Sequence, residues 1–163
     1  MPKSQLNRSV LHLLHRANQC VGELFHSEMA GIDLTARQYI ILLTLSQMEG
    51  ASQQDIIDAT AIDRSTVSQV VQIMIRKGLL KRKRTREDAR TYAITLTEEG
   101  QSVLQTAQPI VNRVNEAFLR SLPSEDADAF ISALSAIVQS NPEAEDKASA
   151  AAVDSEQPTA VMS

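Results

Sequence analysis

The chain has 163 residues, of which 43% are hydrophobic, and a formal net charge of −4 at pH 7. This length suffices for one hydrophobic core, or for a small domain that shares a core with a partner subunit. No stretch approaches the roughly 20 apolar residues that cross a bilayer, and no signal peptide is evident, so we expect a cytoplasmic protein without membrane contact. A single cysteine, Cys20, excludes an intrachain disulfide and argues against a zinc site built from several thiolates.

The first half of the chain predicts four helices. Apolar residues at helical spacing predict one long amphipathic helix over residues 6–25, and its apolar stripe needs a cover. A second helix opens in "LTARQYIILLTLSQM", and two shorter ones follow in "QQDIIDAT" and "RSTVSQVVQIMIRKG". Each of these three has a residue placed to cap its N-terminus: Thr35 with Gln38 in a capping box, Ser52 with Asp55, and Asp63.

From Leu80 the helical period stops and an alternating pattern begins. The runs "LLKRKRT" and "TYAITLT" bracket a polar tip, "REDAR", which predicts a β-hairpin. Thr97 is placed to cap a long helix after the hairpin, and Pro123 with Ser124 restarts the chain as a last helix. Residues 141–163 have no periodicity and few large apolar side chains, so we expect a disordered tail there.

Two short helices with a tight link, the second amphipathic, followed by a charged hairpin, have the order of a winged helix-turn-helix. With its apolar stripe inside, the second helix turns short hydrogen-bonding residues outward, where a recognition helix meets base edges in the major groove. Gln69 suits adenine, and Arg64 suits a phosphate or a guanine edge. The DNA-contacting residues that we predict on this helix are Arg64, Ser65, Thr66, Ser68, Gln69 and Gln72.

Positive charge is concentrated in the hairpin of this acidic chain. Eight of the 16 Lys and Arg lie between Arg76 and Arg90, with only two acids, whereas 11 acids and three bases follow residue 97. A charge run is usually a solvated face, but here it directly follows a helix-turn-helix, which favours DNA contact. On a hairpin, Lys83, Arg86 and Arg90 can follow the phosphates into the minor groove. Asp88 is expected to pair with a wing arginine and fix its direction.

The hairpin sequence "DARTYAITLT" resembles the wing signature of the MarR family of bacterial transcription regulators, through Asp88, Arg90, Leu96 and Thr97. The stretch "IDRSTVSQVVQIMIRKGLLKR" resembles the recognition helix of that family and its Lys-Gly-Leu exit. The resemblance implies an obligate homodimer whose first, fifth and sixth helices interlock and whose winged domains bind a pseudo-palindromic DNA operator. It also implies release of repression when a small ligand, often an aromatic acid, binds between the dimerisation and DNA-binding parts.

We therefore expect a mainly α fold with a small β-hairpin wing. A winged helix-turn-helix over residues 34–97 would be flanked by long dimerisation helices over residues 5–30 and 98–140. The apolar stripes of the terminal helices support the dimer independently of the resemblance, because a lone subunit would expose a large apolar patch. No phosphate-binding glycine loop, nucleophile elbow or metalloprotease motif occurs, so we expect neither an enzyme nor a cofactor or metal site. A protein-interaction module would leave the wing arginines unexplained.

Polar residues opposite the stripe of the first helix, and at the start of the second, are candidates for binding an effector. An anionic aromatic ligand needs hydrogen-bond donors beside apolar walls. "LLHRANQCVGELF" with "LTARQY" resembles a subgroup of the family that regulates aromatic-acid breakdown through free acids or CoA thioesters. The alternative is that these residues face solvent or cap the dimer. The candidates are His12, His15, Arg16, Gln19, Arg37 and Tyr39, with the two arginines holding the acidic portion.

Cys20 raises a second sensing mechanism, because some members of the family respond to peroxides through a cysteine on the first helix. A sensor thiol must be accessible to the oxidant, and its thiolate form must be stabilised. Cys20 borders the apolar stripe and lacks an aromatic hydrogen-bonding surround, which favours burial in a structural role. His12 and His15 could share a metal ion, but no thiolate cluster supports such a site.

Overall fold

The computed structural model describes residues 6–48, 50–84 and 92–140. Two compact units are defined by the packing, Met1–Ser121 and Leu122–Ser163. The predicted mainly α fold with one β-hairpin is confirmed. In chain order the elements are α1 (Val10–Glu28), α2 (Ala36–Ser46), α3 (Gln53–Thr60), α4 (Arg64–Arg76), β1 (Leu80–Arg84), β2 (Tyr92–Leu96), α5 (Glu98–Leu119), a 3-10 turn (Ser124–Asp126) and α6 (Ala127–Gln139).

Helices α2 and α3 begin where their capping residues predict. The side chain of Thr35 accepts from the backbone N–H of Gln38, whose own side chain accepts from the N–H of Thr35 at 3.0 Å. Ser52 and Asp55 form the same reciprocal pair, with the Asp55 carboxylate 2.7 Å from the N–H of Ser52. Each pair satisfies N–H groups that the first helical turn leaves without a partner, so both predicted capping boxes are confirmed.

Helix α1 begins later than the apolar pattern predicts. Ser9 is its N-cap, because the hydroxyl accepts from the backbone N–H of His12 at 3.4 Å. The helix packs against α5, and Arg113 Nε lies 3.3 Å from the carboxylate of Glu28. No residue of α1, all of which the structure describes, is buried. The first half of the stripe is the least covered, since Val10 is 69% exposed.

The core of the first unit lies among α2, α3, α4, the hairpin and α5. The hairpin pairs antiparallel, with Leu80 opposite Leu96 and Arg84 opposite Tyr92. Ala51 extends this pairing, because it exchanges two backbone hydrogen bonds with Ile94 at 2.7 and 3.1 Å. Helix α4 packs against β1 of this hairpin. The side chains that are fully buried in this core include Ile41, Leu42, Ile56, Val67, Val71, Met74, Leu80 and Ile94.

The start of α5 is locked to the exit of α4. The Thr97 hydroxyl caps α5 by accepting from the N–H of Gly100 at 3.0 Å, as predicted, and donates to the carbonyl of Gly78 at 2.6 Å. The N–H of Thr97 donates to the carbonyl of Leu79 at 3.1 Å. Gly78 has φ +75°, a conformation that glycine adopts without steric cost, and it follows the end of α4 as predicted.

The second unit contains α6. The chain restarts at Ser124 as predicted, although its first turn is a 3-10 turn and α6 proper begins at Ala127. Its apolar residues lie largely in solvent, with Ile137 61% and Val138 70% exposed. The predicted disordered tail, residues 141–163, lies outside the described residues.

Candidate nucleic-acid interface and effector cavity

Asp63 fixes the N-terminus of the recognition helix α4. Its carboxylate accepts from the Ser65 hydroxyl at 2.6 Å and from the backbone N–H of Thr66 at 2.9 Å. The Ser65 side chain first, and then the side chain and N–H of Thr66, hold the pKa of Asp63 well below its ordinary value of 3.8. Because the Ser65 hydroxyl donates to Asp63, its lone pairs remain available as acceptors for a base amino group.

The two faces of α4 are divided as the sequence predicts. Val67, Val71 and Met74 are fully buried against the core, and the opposite side of the helix is in solvent. A recognition helix requires this division, because base edges can meet only exposed side chains. Of the predicted contact residues on α4, Arg64, Ser65, Gln69 and Gln72 are exposed, whereas Thr66 and Ser68 are half-buried.

Arg64, the first residue of α4, is held by side chains of the preceding helix. Its Nη2 donates to Oε1 of Gln54 at 2.5 Å, and Nε2 of Gln54 donates to a carboxylate oxygen of Asp58 at 2.8 Å. All three residues are exposed. Sequence reasoning selected Arg64 and missed the other two. The spacing of four residues between Gln54 and Asp58 on one helix was the signal available for their pairing.

The base of the hairpin carries a continuous run of positive charge. The four basic residues of β1 after Leu80, which include Lys83, are all exposed. Arg84 lies over the ring of Tyr92 on the paired strand, 5.8 Å from the centroid, and this cation–π contact directs the last described residue of β1. The predicted tip contacts Arg86, Asp88 and Arg90 lie outside the described residues.

Lys77 connects the end of α4 to the segment between α1 and α2. Its Nζ lies 2.7 Å from the carboxylate of Asp33 and 3.1 Å from the backbone carbonyl of the same residue. The two residues are 44 positions apart in sequence. Residues 31–34, which we call the wall segment, therefore contact the recognition helix directly.

The wall segment also borders an apolar cavity of about 410 Å³ between the end of α1 and the start of α2. Phe25, Met29, Ile32 and Leu34 supply apolar walls, and the Phe25 ring packs on Tyr39 with centroids 6.5 Å apart. Burial raises the pKa of the Tyr39 hydroxyl above its ordinary value of 10.0.

A more polar and more open surface, which we call the groove, adjoins this cavity and is lined by residues of α1 alone. The cavity and the groove share Gly22 and His26. In the groove, Nη1 of Arg16 donates to Oε1 of Gln19 at 2.9 Å. A guanidinium only donates, so the amide of Gln19 turns its oxygen toward Arg16 and its NH₂ toward Nε2 of His15, 3.2 Å away.

The structure brings together some of the predicted effector residues and separates others. Arg16 and Gln19 line the groove. Tyr39 is buried behind Phe25, and Arg37 is exposed on α2 and lines neither cavity. His12 is half-buried near the N-terminus of α1 and also lies outside both linings. Sequence reasoning missed His26, although its position seven residues after Gln19 puts it on the same helical face.

Three further properties bear on other kinds of site. Cys20 is exposed, so its expected burial is wrong. Within residues 6–48, 50–84 and 92–140, no cluster of three or more His, Cys, Asp or Glu could hold a metal ion. None of the described helices combines the length and apolar character of a membrane span.

Comparison with known proteins identifies the family. A model of the MarR family matches residues 32–91. Transcriptional regulator HosA of Escherichia coli O157:H7 is 31% identical over 99 residues, which are 61% of this chain and 73% of HosA. BpsR of Bordetella bronchiseptica, whose DNA binding is regulated by 6-hydroxynicotinic acid, is 27% identical with a TM-score of 0.77, over 82% of this chain and 95% of BpsR. The transcriptional repressor CouR, solved on a 23-mer DNA duplex, is 28% identical with a TM-score of 0.77, over 82% and 95% of the two chains.

The chain belongs to the MarR family of winged helix-turn-helix proteins, and it is a DNA-binding transcription regulator. Helix α4 and the hairpin correspond to the recognition helix and the wing. The comparisons do not favour the alternative of oxidation sensing through Cys20.

Proposed function

We propose that the protein is a repressor that binds a pseudo-palindromic operator as a homodimer and leaves it when a small aromatic acid, or its CoA thioester, binds. The observation that carries the proposal is the contact of Lys77 with Asp33. It connects the recognition helix to the wall of an apolar cavity whose volume, about 410 Å³, lies in the range of small-ligand sites.

The proposed DNA-binding part covers residues 34–97. The exposed face of α4 would read bases in the major groove, and the basic hairpin would follow the phosphates. The division of α4 into a buried and an exposed face, and the uninterrupted charge of β1, support this assignment. The proposed contacts are Arg64, Ser65, Thr66, Ser68, Gln69, Gln72, Lys83, Arg86 and Arg90, with Asp88 orienting a wing arginine.

The proposed dimerisation parts are residues 5–30 and 98–140. The exposed apolar side chains of α1 and α6 support a homodimer, because a soluble monomer rarely leaves such a set in water. In a dimer of this kind, two recognition helices enter successive major grooves about 10 base pairs apart.

The proposed effector lies across the groove and the apolar cavity. Its acidic group would bind Arg16 and Gln19, and its ring would enter the walls that include Phe25 and Leu34. The amide of Gln19 already accepts from Arg16, so the remaining guanidinium donors are oriented for a carboxylate. His12, His15, Arg37 and Tyr39 complete the proposed set as more distant contributors.

Release from DNA requires that the effector and the operator favour different arrangements of the same protein. The two affinities are then reciprocally linked, and neither ligand can bind without weakening the other. The wall segment is suited to this linkage because one of its sides borders the cavity and Asp33 contacts the end of α4.

The test is a thermal-shift screen of aromatic acids and acyl-CoA thioesters, followed by operator release with whichever compound raises the melting temperature. Arg16→Ala should bind the operator nearly as the wild type does and require about tenfold or more effector for release, since a charge-assisted hydrogen bond is lost. Arg37→Ala, measured beside it, should have the smaller effect because Arg37 lies outside both cavities. Release of both variants at the wild-type effector concentration would contradict the assignment.

A further inference from the structure

We propose that Gln54 is a positioning residue for DNA recognition, which holds the guanidinium of Arg64 in the direction from which it meets DNA, and that Asp58 orients the amide of Gln54. The proposal rests on the proposed DNA contact of Arg64. It adds to that function two residues of α3 that need not touch DNA themselves.

The polarity of the hydrogen-bond chain determines the direction of each group. The Asp58 carboxylate can only accept, so Gln54 must turn its NH₂ toward it, as the 2.8 Å contact shows. The carbonyl oxygen of Gln54 is consequently directed across the helix-turn-helix link, where Nη2 of Arg64 donates to it at 2.5 Å. If the amide were flipped, its oxygen would face the Asp58 carboxylate and its NH₂ would face the Arg64 guanidinium, and neither pair could form a hydrogen bond.

A neutral partner suits an arginine that must bind an anion. A direct ion pair with Asp58 would place a carboxylate against the guanidinium and offset the charge that a phosphate or a guanine edge requires. The carbonyl of Gln54 occupies one N–H of Arg64 and leaves the other donors and the full charge available. Asp58 thus acts on Arg64 only through the amide of Gln54, which lies between the carboxylate and the guanidinium.

Gln54, Asp58 and Arg64 are exposed, so their hydrogen bonds matter more for the orientation of Arg64 than for the stability of the core. Arginine loses considerable side-chain freedom when it is immobilised at an interface, and a ligand that finds it already oriented loses less on binding. Truncating exposed polar side chains alters the packing of a core little. The effect of Gln54 should therefore appear in DNA binding that depends on Arg64.

The experiment is a double-mutant cycle on the full-length protein. The dissociation constant is measured for an operator duplex, selected from a random pool by the wild-type protein, and for a random duplex of equal length. The variants are Gln54→Met, which keeps the length of the side chain but removes both hydrogen bonds, Arg64→Ala, and the two combined. Gln105→Ala is the matched control, because it truncates an exposed helical glutamine on α5.

Gln54→Met should weaken operator binding about threefold to tenfold, the size of coupling that contacting polar residues show, and weaken the random duplex less. In the Arg64→Ala background the same substitution should change operator binding less than about twofold. Asp58→Asn should reproduce part of the loss, and only while Arg64 is present, because an asparagine no longer dictates which way the amide turns. Gln105→Ala should bind as the wild type does.

Wild-type affinity in Gln54→Met would overturn the proposal. So would an equal loss in the presence and absence of Arg64, which would mean that Gln54 supports the helix-turn-helix without acting through Arg64. If Arg64→Ala itself binds the operator normally, the DNA contact assigned to Arg64 is wrong and the positioning role falls with it. A loss in Arg64→Ala without one in Gln54→Met refutes the positioning role alone.

Discussion

Gly100 is a position where two rules of protein stability predict opposite outcomes for one substitution. It lies in the first turn of α5, and alanine is about 1 kcal/mol more favourable than glycine inside a helix. A Cβ atom added at Gly100, however, would overlap the carbonyl oxygen of Leu79 and lie 3.0 Å from its carbonyl carbon. Those atoms are backbone, so no rotation of a side chain can relieve the overlap.

The overlap should outweigh the gain in helix propensity. Forcing an extra carbon into a packed contact costs about 1–3 kcal/mol. The carbonyl of Leu79 also accepts from the N–H of Thr97 at 3.1 Å, and displacing it endangers a hydrogen bond that contributes about 1 kcal/mol. After the gain of about 1 kcal/mol is subtracted, Gly100→Ala should lower the free energy of unfolding by about 1–3 kcal/mol. For a chain of this size the melting temperature should fall by roughly 2–10 °C.

Urea unfolding followed by circular dichroism measures the change, at one fixed protein concentration because an oligomer is stabilised by mass action. Gly22→Ala is the matched control: it lies inside α1, where an added Cβ meets nothing within 4 Å. It should stabilise the protein by about 0.4–1 kcal/mol. If both variants are stabilised alike, the packing of α5 against the exit of α4 is looser than the structure indicates and the reasoning fails.

Other predictions concern α4 and the hairpin. Asp63 has a lowered pKa when folded, so its stabilising effect is present above its unfolded value of 3.8 and is lost as the pH falls below it. Asn also caps helices but does not titrate, so the unfolding midpoint of Asp63→Asn should approach that of the wild type as the pH falls from about 6 to about 3. A difference between the two midpoints that stays constant with pH would refute the lowered pKa of Asp63. Lys83→Ala should weaken operator and random DNA alike and lower the salt-dependence slope by about one, whereas Gln69→Ala should cost about 1–3 kcal/mol on the operator alone. Fluorescence anisotropy at several salt concentrations distinguishes the phosphate contact of Lys83 from the base contact of Gln69. An unaltered salt-dependence slope in Lys83→Ala would exclude a phosphate contact.

The features predicted best from the sequence are those determined by neighbouring residues. A capping residue binds an N–H two or three positions away, so Thr35, Ser52, Asp63 and Thr97 marked four helix starts correctly. The exposed and buried faces of α4 followed for the same reason, because a helical period is a local property. The start of α1 was placed too early, since Leu6 continued the periodic apolar pattern although it lies before the N-cap Ser9.

Contacts between residues distant in sequence were not predictable in this way. Lys77 meets Asp33 across 44 positions, and Gly100 meets the carbonyl of Leu79 only because α5 returns to the exit of α4. The side chains that line a cavity were equally inaccessible: Arg37 has the charge expected of an effector contact, yet it lines neither cavity, while His26 lines both. Residue type and spacing identify candidates, and the packing of the chain selects among them.

These contacts also limit how an effector can act. Helix α4 is capped at its N-terminal end by Asp63. The C-terminal end is held by Lys77, which contacts the wall segment, and by Thr97, which donates to the carbonyl of Gly78. A helix anchored at both ends, with Val67, Val71 and Met74 fully buried, resists bending within its own subunit. In the proposed dimer, an effector that displaces the wall segment should therefore move α4 together with the hairpin and the start of α5. The quantity that changes would be the distance between the two recognition helices, which is also the quantity that an operator with half-sites one helical turn apart selects.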